Sequence, residues 1–586
     1  MSSPTTVGRQ PIIIAEIDQD YCGRTFGVAP CNATGNKCFN TYATCKAKNA
    51  YALGTPLTLR FCENNIGQPY DSYYLMPFLE SIETTPTRIN PGGGDSNASP
   101  LGERASVTIT LNDAPHTDNL VDPYLSTRSY SPLARSTFWR KWLARNPYYS
   151  GRAIRIREGY LGQAWSAMQI RHYIIDKISI TGNGVTITGN DVLQLADDDK
   201  AVAPKPTDAK LIGDMSDAQT SCVTFGADLV DFPTAGTVRI GQECMTYTSR
   251  SYDSASGRIT LNGLTRGSDG TTVESHSDRD AVQVCLRVSH QMPWVLIRDL
   301  LINYARIPTS YINTAEWNDE GDIWLSQFIV SRLITEPTGV AQLIGEICQQ
   351  SLMYVWWDER AKLIKMRALR PFDDDAIPSI NDSDNIIADS VKYSENTDAR
   401  TSQVWVFYSQ INPTEAVDES KNYSKLRIRV DTNAESQYQF NDTRITKIYA
   451  PWIETDAQAI NLAARYMGRY RSNVRMLSLR LDAKDRQIWT GSVADVETAH
   501  LVDETGNIKR MRFEVISAHE PTSGEIIELE LMGSEYDASA IIRYMYWMQT
   551  NVPTYSNATT TERKRGFWWS DASGKMPDGT DGYVWQ

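Results

Sequence analysis

The 586-residue chain has no long hydrophobic run. Its longest obvious one is Ile12-Ile13-Ile14-Ala15, far short of the roughly 18 residues that a membrane-spanning helix needs. Residues 1–10 are polar and carry no secretion-signal pattern, so the expectation is a chain without a membrane span that is made and folded in a cytosol. Basic charge is in short supply: Lys and Arg number 58 against 71 Asp and Glu, a net charge of −13. Phosphate binding requires clustered cations, so no specific nucleic-acid binding is expected, and any DNA passing through a lumen of this protein would be repelled. Histidine is scarce at six residues, which leaves little room for a His-rich metal site. No G-x-S-x-G, H-E-x-x-H or phosphate-loop pattern occurs, and no repeat appears at solenoid or propeller periods. The expectation is a protein that is not an enzyme.

Size and patterning predict the architecture. At roughly 100 to 200 residues per domain the length predicts about three to five domains. Short β-prone runs dominate, so the fold class expected is β-rich α+β and multidomain. Residues 1–204 read as a β-barrel-like domain: strands at 11–18, Leu57 to Phe61, Tyr74 to Thr84, Ala105 to Leu111, Arg152 to Arg157 and His172 to Thr188. One helix is expected there, starting at Ser131-Pro132 and ending at Asn146-Pro147. Residues 205–290 shift to Gly, Ser, Thr and Asp and read as a small all-β insertion. Residues 291–384 read as a helix-plus-hairpin α+β domain. In it Val340, Leu343, Ile344, Ile347 and Cys348 follow helical spacing, which makes Cys348 a core residue. Residues 385–540 read as a second β-barrel-like domain with one helix capped by Thr455 and Asp456, and 541–586 as a polar tail with Phe567, Trp568, Trp569, Tyr583 and Trp585 available for docking.

Four of the nine cysteines, Cys22, Cys31, Cys38 and Cys45, fall in one run spaced C-x8-C-x6-C-x6-C, with Cys62 in the strand that follows. In a reducing compartment, clustered cysteines point to metal or catalysis before disulfides. Four thiolates suit tetrahedral zinc or an iron–sulfur cluster. The tight C-x2-4-C pairs common in zinc modules are missing, so spacing favours iron–sulfur and leaves zinc, disulfides and unliganded thiols open.

The cysteine run resembles the motif of the lambdoid minor tail protein L family, in which a C-x8-C pair is followed by a Lys-Cys, six residues and a Cys-Lys. Cys22 and Cys31 match the pair, Lys37-Cys38 the third position and Cys45-Lys46 the fourth. This chain departs from that family in carrying the motif near its N-terminus, with a shorter gap and no extra cysteine between the last two; Cys62 is a possible substitute ligand. The resemblance implies a [4Fe–4S] cluster on Cys22, Cys31, Cys38 and Cys45, with zinc as runner-up. The stretches "IGQECMTYTS" and "ITLNGLTRGSDGTTVESH" are similar to a small β-domain of phage tail-tip proteins, and "LIGEICQQSLMYVWWDERAKLIKMRAL" resembles the helix-plus-hairpin of baseplate hubs of long-tailed phages and gene transfer agents. Together these likenesses imply a structural virion protein assembled in the host cytoplasm. It would be a homotrimeric tail-tip hub with two β-barrel-like hub domains per chain, closing the tail tube and acting in tail assembly and genome delivery. Its implied partners are the distal tail protein, the tape measure protein and central fibre or receptor-binding proteins.

The alternative is a metal-containing tail enzyme or adhesin acting on cell-wall sugar. Its motivation is "EWNDEGDIW", Glu316 to Trp324, where carboxylates mix with tryptophan as in glycosidases; adjacent acids in a loop more often form a solvated surface. Asp197 to Asp199 and Asp373 to Asp375 match no calcium-loop spacing and read as solvated loops. His276, in the insertion motif, reads as a structural turn histidine rather than a ligand.

Overall fold

The computed structural model describes residues 3–6, 8–64, 66, 69–91, 101–197, 199–372 and 377–533, with short stretches between 554 and 584. The chain is a β-rich α+β protein of several sheets. The N-terminal part is one antiparallel seven-stranded sheet built from β1 (Pro11–Gln19), β2 (Leu57–Cys62), β3 (Leu79–Thr85), β4 (Ser106–Asn112), β5 (Ala153–Tyr160), β6 (Gln169–Thr181) and β7 (Gly184–Asn190). Their order is β2-β1-β5-β6-β7-β4-β3, with β2 and β3 at opposite edges, so the sheet curls into a half-barrel. In the strand expected from Ala105 to Leu111, Val107, Ile109 and Leu111 alternate with Thr108 and Thr110 and are buried, together with Ile154 and Ile156 from β5 and Val185 and Ile187 from β7. The region anticipated as a single run over His172 to Thr188 is the β6–β7 hairpin, closed at Gly182 with a φ of +61°.

The sheet's open side is plugged by α1 (Phe138–Arg145), whose Phe138 and Trp139 are buried against Phe61 and whose Trp142 is buried against Trp139. The expected start at Ser131-Pro132 is only a single turn of 3-10 helix, Pro132–Ala134. The helix proper begins later because Asp113, at the end of β4, accepts the Trp139 N–H at 2.9 Å and the Thr137 hydroxyl at 2.5 Å. A distant carboxylate thus satisfies a free donor of the first turn.

The insertion forms a four-stranded and a three-stranded sheet around Phe232, Val238, Ile240, Tyr247 and Leu261. Beyond it the helix Pro293–Asp299 runs on through a π-helical segment to Tyr304. The helix Val340–Ser351 buries Cys348, as its spacing predicts, and leads into the hairpin Met353–Asp358 and Leu363–Ala368. The segment Glu316 to Trp324, expected as an acidic surface loop, is instead part of the helix Thr314–Trp324, with Asn313 capping it through the Glu316 N–H. Two of its acids are engaged in ion pairs: Lys365 holds Glu316 at 2.8 Å and Arg370 holds Glu320 at 2.7 Å. Asp197 ends the short helix Gln194–Asp197 and pairs with Arg104, so it too is not a free loop acid; Asp373 to Asp375 lie outside the described residues.

Two more sheets follow. A three-stranded one (Tyr423–Val430, Gln403–Gln410, Ile445–Ala450) rests on the helix Asp456–Tyr470 and shares its core with the preceding helices. That helix starts in a complete capping box of Thr455 and Gln458. A six-stranded sheet around Leu479, Phe513, Val515 and Leu529 has a core of its own. A buried charge cluster joins this sheet to the first: Glu158 of β5 pairs with Arg171 of β6 and, at 4.0 Å, with Arg486, which also pairs with Glu520, as does Arg360. Of the aromatic tail, Trp568–Trp569 pairs antiparallel with Tyr583–Val584, and Trp568 meets Tyr555 edge-on; Phe567 and Trp585 lie outside the described residues.

Candidate functional site: a loop with a sulfur core

The cysteine run leaves β1 and returns through β2, and its two limbs meet at a tight neck. Cys22 bridges Leu53, the Gly23 N–H donates to Ala52 O at 2.9 Å, and the Gly54 N–H donates to Tyr21 O at 2.8 Å. A Cβ on Gly54 would lie 2.8 Å from the Gly23 Cα, so this crossing tolerates no side chain.

Beyond the neck the loop holds little regular structure, only the 3-10 turn Lys48–Ala50. Its buried apolar residues between 21 and 49 are Cys22, Cys31, Ala33 and Cys38; Cys45 is half-buried. Sulfur therefore takes the place that aliphatic side chains occupy in an ordinary core. All nine cysteines of the chain are free thiols. Burial pushes the Cys38 thiol up, and the charges of Cys45, Cys22 and Cys31 each push it further. The structure thus places Cys22, Cys31 and Cys45 each within electrostatic reach of Cys38. Four thiolates so placed repel, and binding a cationic centre is what would favour their ionised form.

Among the described residues no group of three or more His, Cys, Asp or Glu is arranged to hold a single metal ion. Tetrahedral zinc, with Zn–S of about 2.3 Å, would draw its sulfurs to within about 3.8 Å of one another. An iron–sulfur cluster takes each thiolate on a different iron and so accepts a wider set. Cys62 is placed elsewhere: it is fully buried in an apolar cluster with Ile14, Leu75 and Trp165.

The loop is held from outside by residues whose role the sequence does not announce. Asn40, at a φ of +54°, links two of the cysteines: its carbonyl accepts the Cys22 N–H at 2.7 Å and its side chain accepts from Cys38 Sγ at 3.6 Å. Arg128 donates to Lys37 O and Cys38 O at 2.6 and 2.8 Å while forking onto Asp122. The Phe39 ring carries the Arg128 and Arg145 guanidiniums, each 4.0 Å from its centroid. Arg145 is fixed in turn by Asp118 at 2.7 Å. Arg128→Ala is expected to strand the buried Asp122 carboxylate and two carbonyls, costing roughly 3 kcal/mol. Faster reaction of Cys38 with a thiol reagent, at unchanged far-ultraviolet circular dichroism, is the check; an unchanged rate would refute the tie.

The insertion motif forms a second constellation. Glu243 is completely buried and accepts from both arms of Arg266 at 2.8 Å, from the Gly267 and Glu274 N–H groups, and pairs with His276 Nε2 at 2.9 Å. The Arg266 pairing and these hydrogen bonds hold its carboxyl down at about 2. His276 is a partner of this carboxylate inside the folded motif, in line with the structural role expected of it.

No protein-family model matches the chain, and no curated protein does. Similar solved structures include the tail protein from Neisseria meningitidis MC58, at 11% identity over 73% of this chain and 88% of that one, with a TM-score of 0.34. A prophage tail protein from Listeria monocytogenes EGD-e is 8% identical over 77% of this chain and 87% of its own, with a TM-score of 0.32. The 43 kDa tail protein of prophage MuSo2 from Shewanella oneidensis is 9% identical over 79% of this chain and 94% of its own, with a TM-score of 0.34.

Proposed function

We propose that the chain is a structural protein of a phage-type tail: a tail-tip or baseplate hub that closes the tail tube, carries an iron–sulfur cluster on Cys22, Cys31, Cys38 and Cys45, and anchors fibre proteins. The observation that carries the reading is the sulfur core of residues 21–49. A loop whose buried apolar residues are three thiols and one alanine cannot offset its own ordering entropy by hydrophobic burial. Its position, seated on β1, β2 and α1 of the first sheet, suits a fixture that shapes the rim of a hub. When bound, the cluster supplies four metal–sulfur bonds that staple the loop. Asn40, Arg128 and Phe39 orient the cysteine backbone, and Asp122 and Asp118 hold the two arginines in place. Both glutamates of Thr314–Trp324, Glu316 and Glu320, are tied into ion pairs, which accords with a scaffold rather than a glycosidase. In this reading the partners are two further copies of the chain, the distal tail protein, the tape measure protein and a central fibre.

The test is electron cryo-microscopy of assembled particles with the chain labelled at an exposed loop. Three copies at the distal end of the tail tube are expected. Label on the capsid or along the tube wall, or particles without the chain that still carry complete tips, would overturn the assignment.

A further inference from the structure

The three-stranded sheet ends in a free edge. Among the described residues Tyr423–Val430 pairs only with Gln403–Gln410, and seven of its eight residues are exposed. Cross-strand register assigns its side chains to two faces. Arg427 lies opposite Val406 and Arg429 opposite Val404, the face packed on the helix Asp456–Tyr470; Lys425 shares that side, and Arg427 reaches Asp456 at 3.8 Å. Leu426, Ile428 and Val430 point the other way, opposite Phe407, Trp405 and Gln403. There they are 43, 45 and 42% exposed, and Ile445 on the far strand is 46% exposed. Cations are a common protection for a sheet edge. On this strand they guard only the helix side; the opposite side is an exposed aliphatic row beside Trp405, whose ring carries Lys447 of the far strand, and such a row is of the kind that marks a docking surface.

We propose that this edge receives an extended segment of another protein in which apolar residues alternate with Asp or Glu. A strand added to Tyr423–Val430 would complete the main-chain ladder, laying one set of side chains on Leu426, Ile428 and Val430 and the other beside Lys425, Arg427 and Arg429. Charge decides the occupant. Two copies of this strand paired across a twofold axis would bring cations against cations, which is unfavourable, whereas an acidic strand neutralises the row. The proposal goes beyond the tail assignment and does not depend on the cysteine loop.

The probe is an end-blocked, fluorescent ten-residue peptide alternating valine with glutamate, titrated against the full chain by anisotropy. Saturable binding is expected, about tenfold weaker for a valine–lysine peptide or for the Ile428→Glu chain. It should vanish for a valine–glutamate peptide N-methylated at every amide, which has no N–H to donate on either edge. Ile428 is nearly half exposed, so its variant should keep the wild-type unfolding temperature; the double variant Arg427→Glu, Arg429→Glu should reverse the preference toward the lysine peptide. Absence of saturable binding, equal binding of both peptides, or undiminished binding to Ile428→Glu overturns the proposal. Concentration-dependent amide protection of Tyr423–Val430 in the free chain also overturns it, by showing a second copy on the edge.

Discussion

Cys31→Ser is expected to strip the cysteine loop of its metal and unravel it while the half-barrel beneath stays folded. Wild-type chain purified without oxygen should contain about four irons and four acid-labile sulfides and absorb visible light; the variant should contain neither and be colourless. Structurally, ordering a residue costs roughly 1–2 kcal/mol of backbone entropy. The loop can set against this the burial of Cys22, Cys31, Ala33 and Cys38 and the ties from Asn40 and Arg128. Limited proteolysis should therefore cut the variant within residues 24–48 and spare wild type. The strands β1 and β2 keep their own cores on both faces, so melting temperature of the main transition should move little. Cys62→Ser is the control: that thiol packs among Ile14, Leu75 and Trp165, and its loss should leave the iron content intact. Full iron in Cys31→Ser, or zinc in place of iron in wild type, would sink the cluster assignment.

Glu243→Ala should unfold the insertion. The substitution removes one acceptor that serves two backbone N–H groups and the buried side chains of Arg266 and His276. Leaving an uncompensated buried guanidinium costs roughly 3–5 kcal/mol, comparable with the whole stability of a small domain. The same carboxylate sets an acid limit. Its folded value of about 2 lies below the ordinary glutamate value of about 4.3. Its contribution is therefore complete above the unfolded value, shrinks as pH falls below it, and is gone once pH passes the folded value. Chemical denaturation followed at several acid pH values should show this loss in wild type and a flatter profile in Glu243→Gln. A Glu243→Ala chain within about 1 kcal/mol of wild type would contradict the role assigned to the motif.

What could be read from the sequence was local. Helical spacing found Cys348 in the core, Thr455 marked a helix start, and alternation in β4 showed which residues face inward, because each signal lies within one element. The failures came from partners distant in the chain. The true start of α1 is set by Asp113, some two dozen residues upstream, so the Ser131-Pro132 signal was followed although it closes only one turn. The acids of Glu316 to Trp324 read as a surface loop, yet they belong to a helix whose Glu316 and Glu320 are paired by Lys365 and Arg370, some fifty residues further on. At the candidate site the four cysteines were legible by type and spacing. Arg128 and Asn40 were not, since an arginine that binds main-chain carbonyls and an asparagine with positive φ leave no pattern in sequence.

The glycine crossing of Gly23 and Gly54 has a consequence for how such a chain can change. Because the two limbs of the loop meet at one point, β1 and β2 experience everything between them as an attachment at a single locus. Lengthening the loop, respacing its cysteines or replacing it with a different ornament leaves the strand register Ile14 to Cys62 undisturbed. The loop is in this sense a cassette: a lineage, or an engineer, can exchange what the half-barrel displays without renegotiating the half-barrel itself.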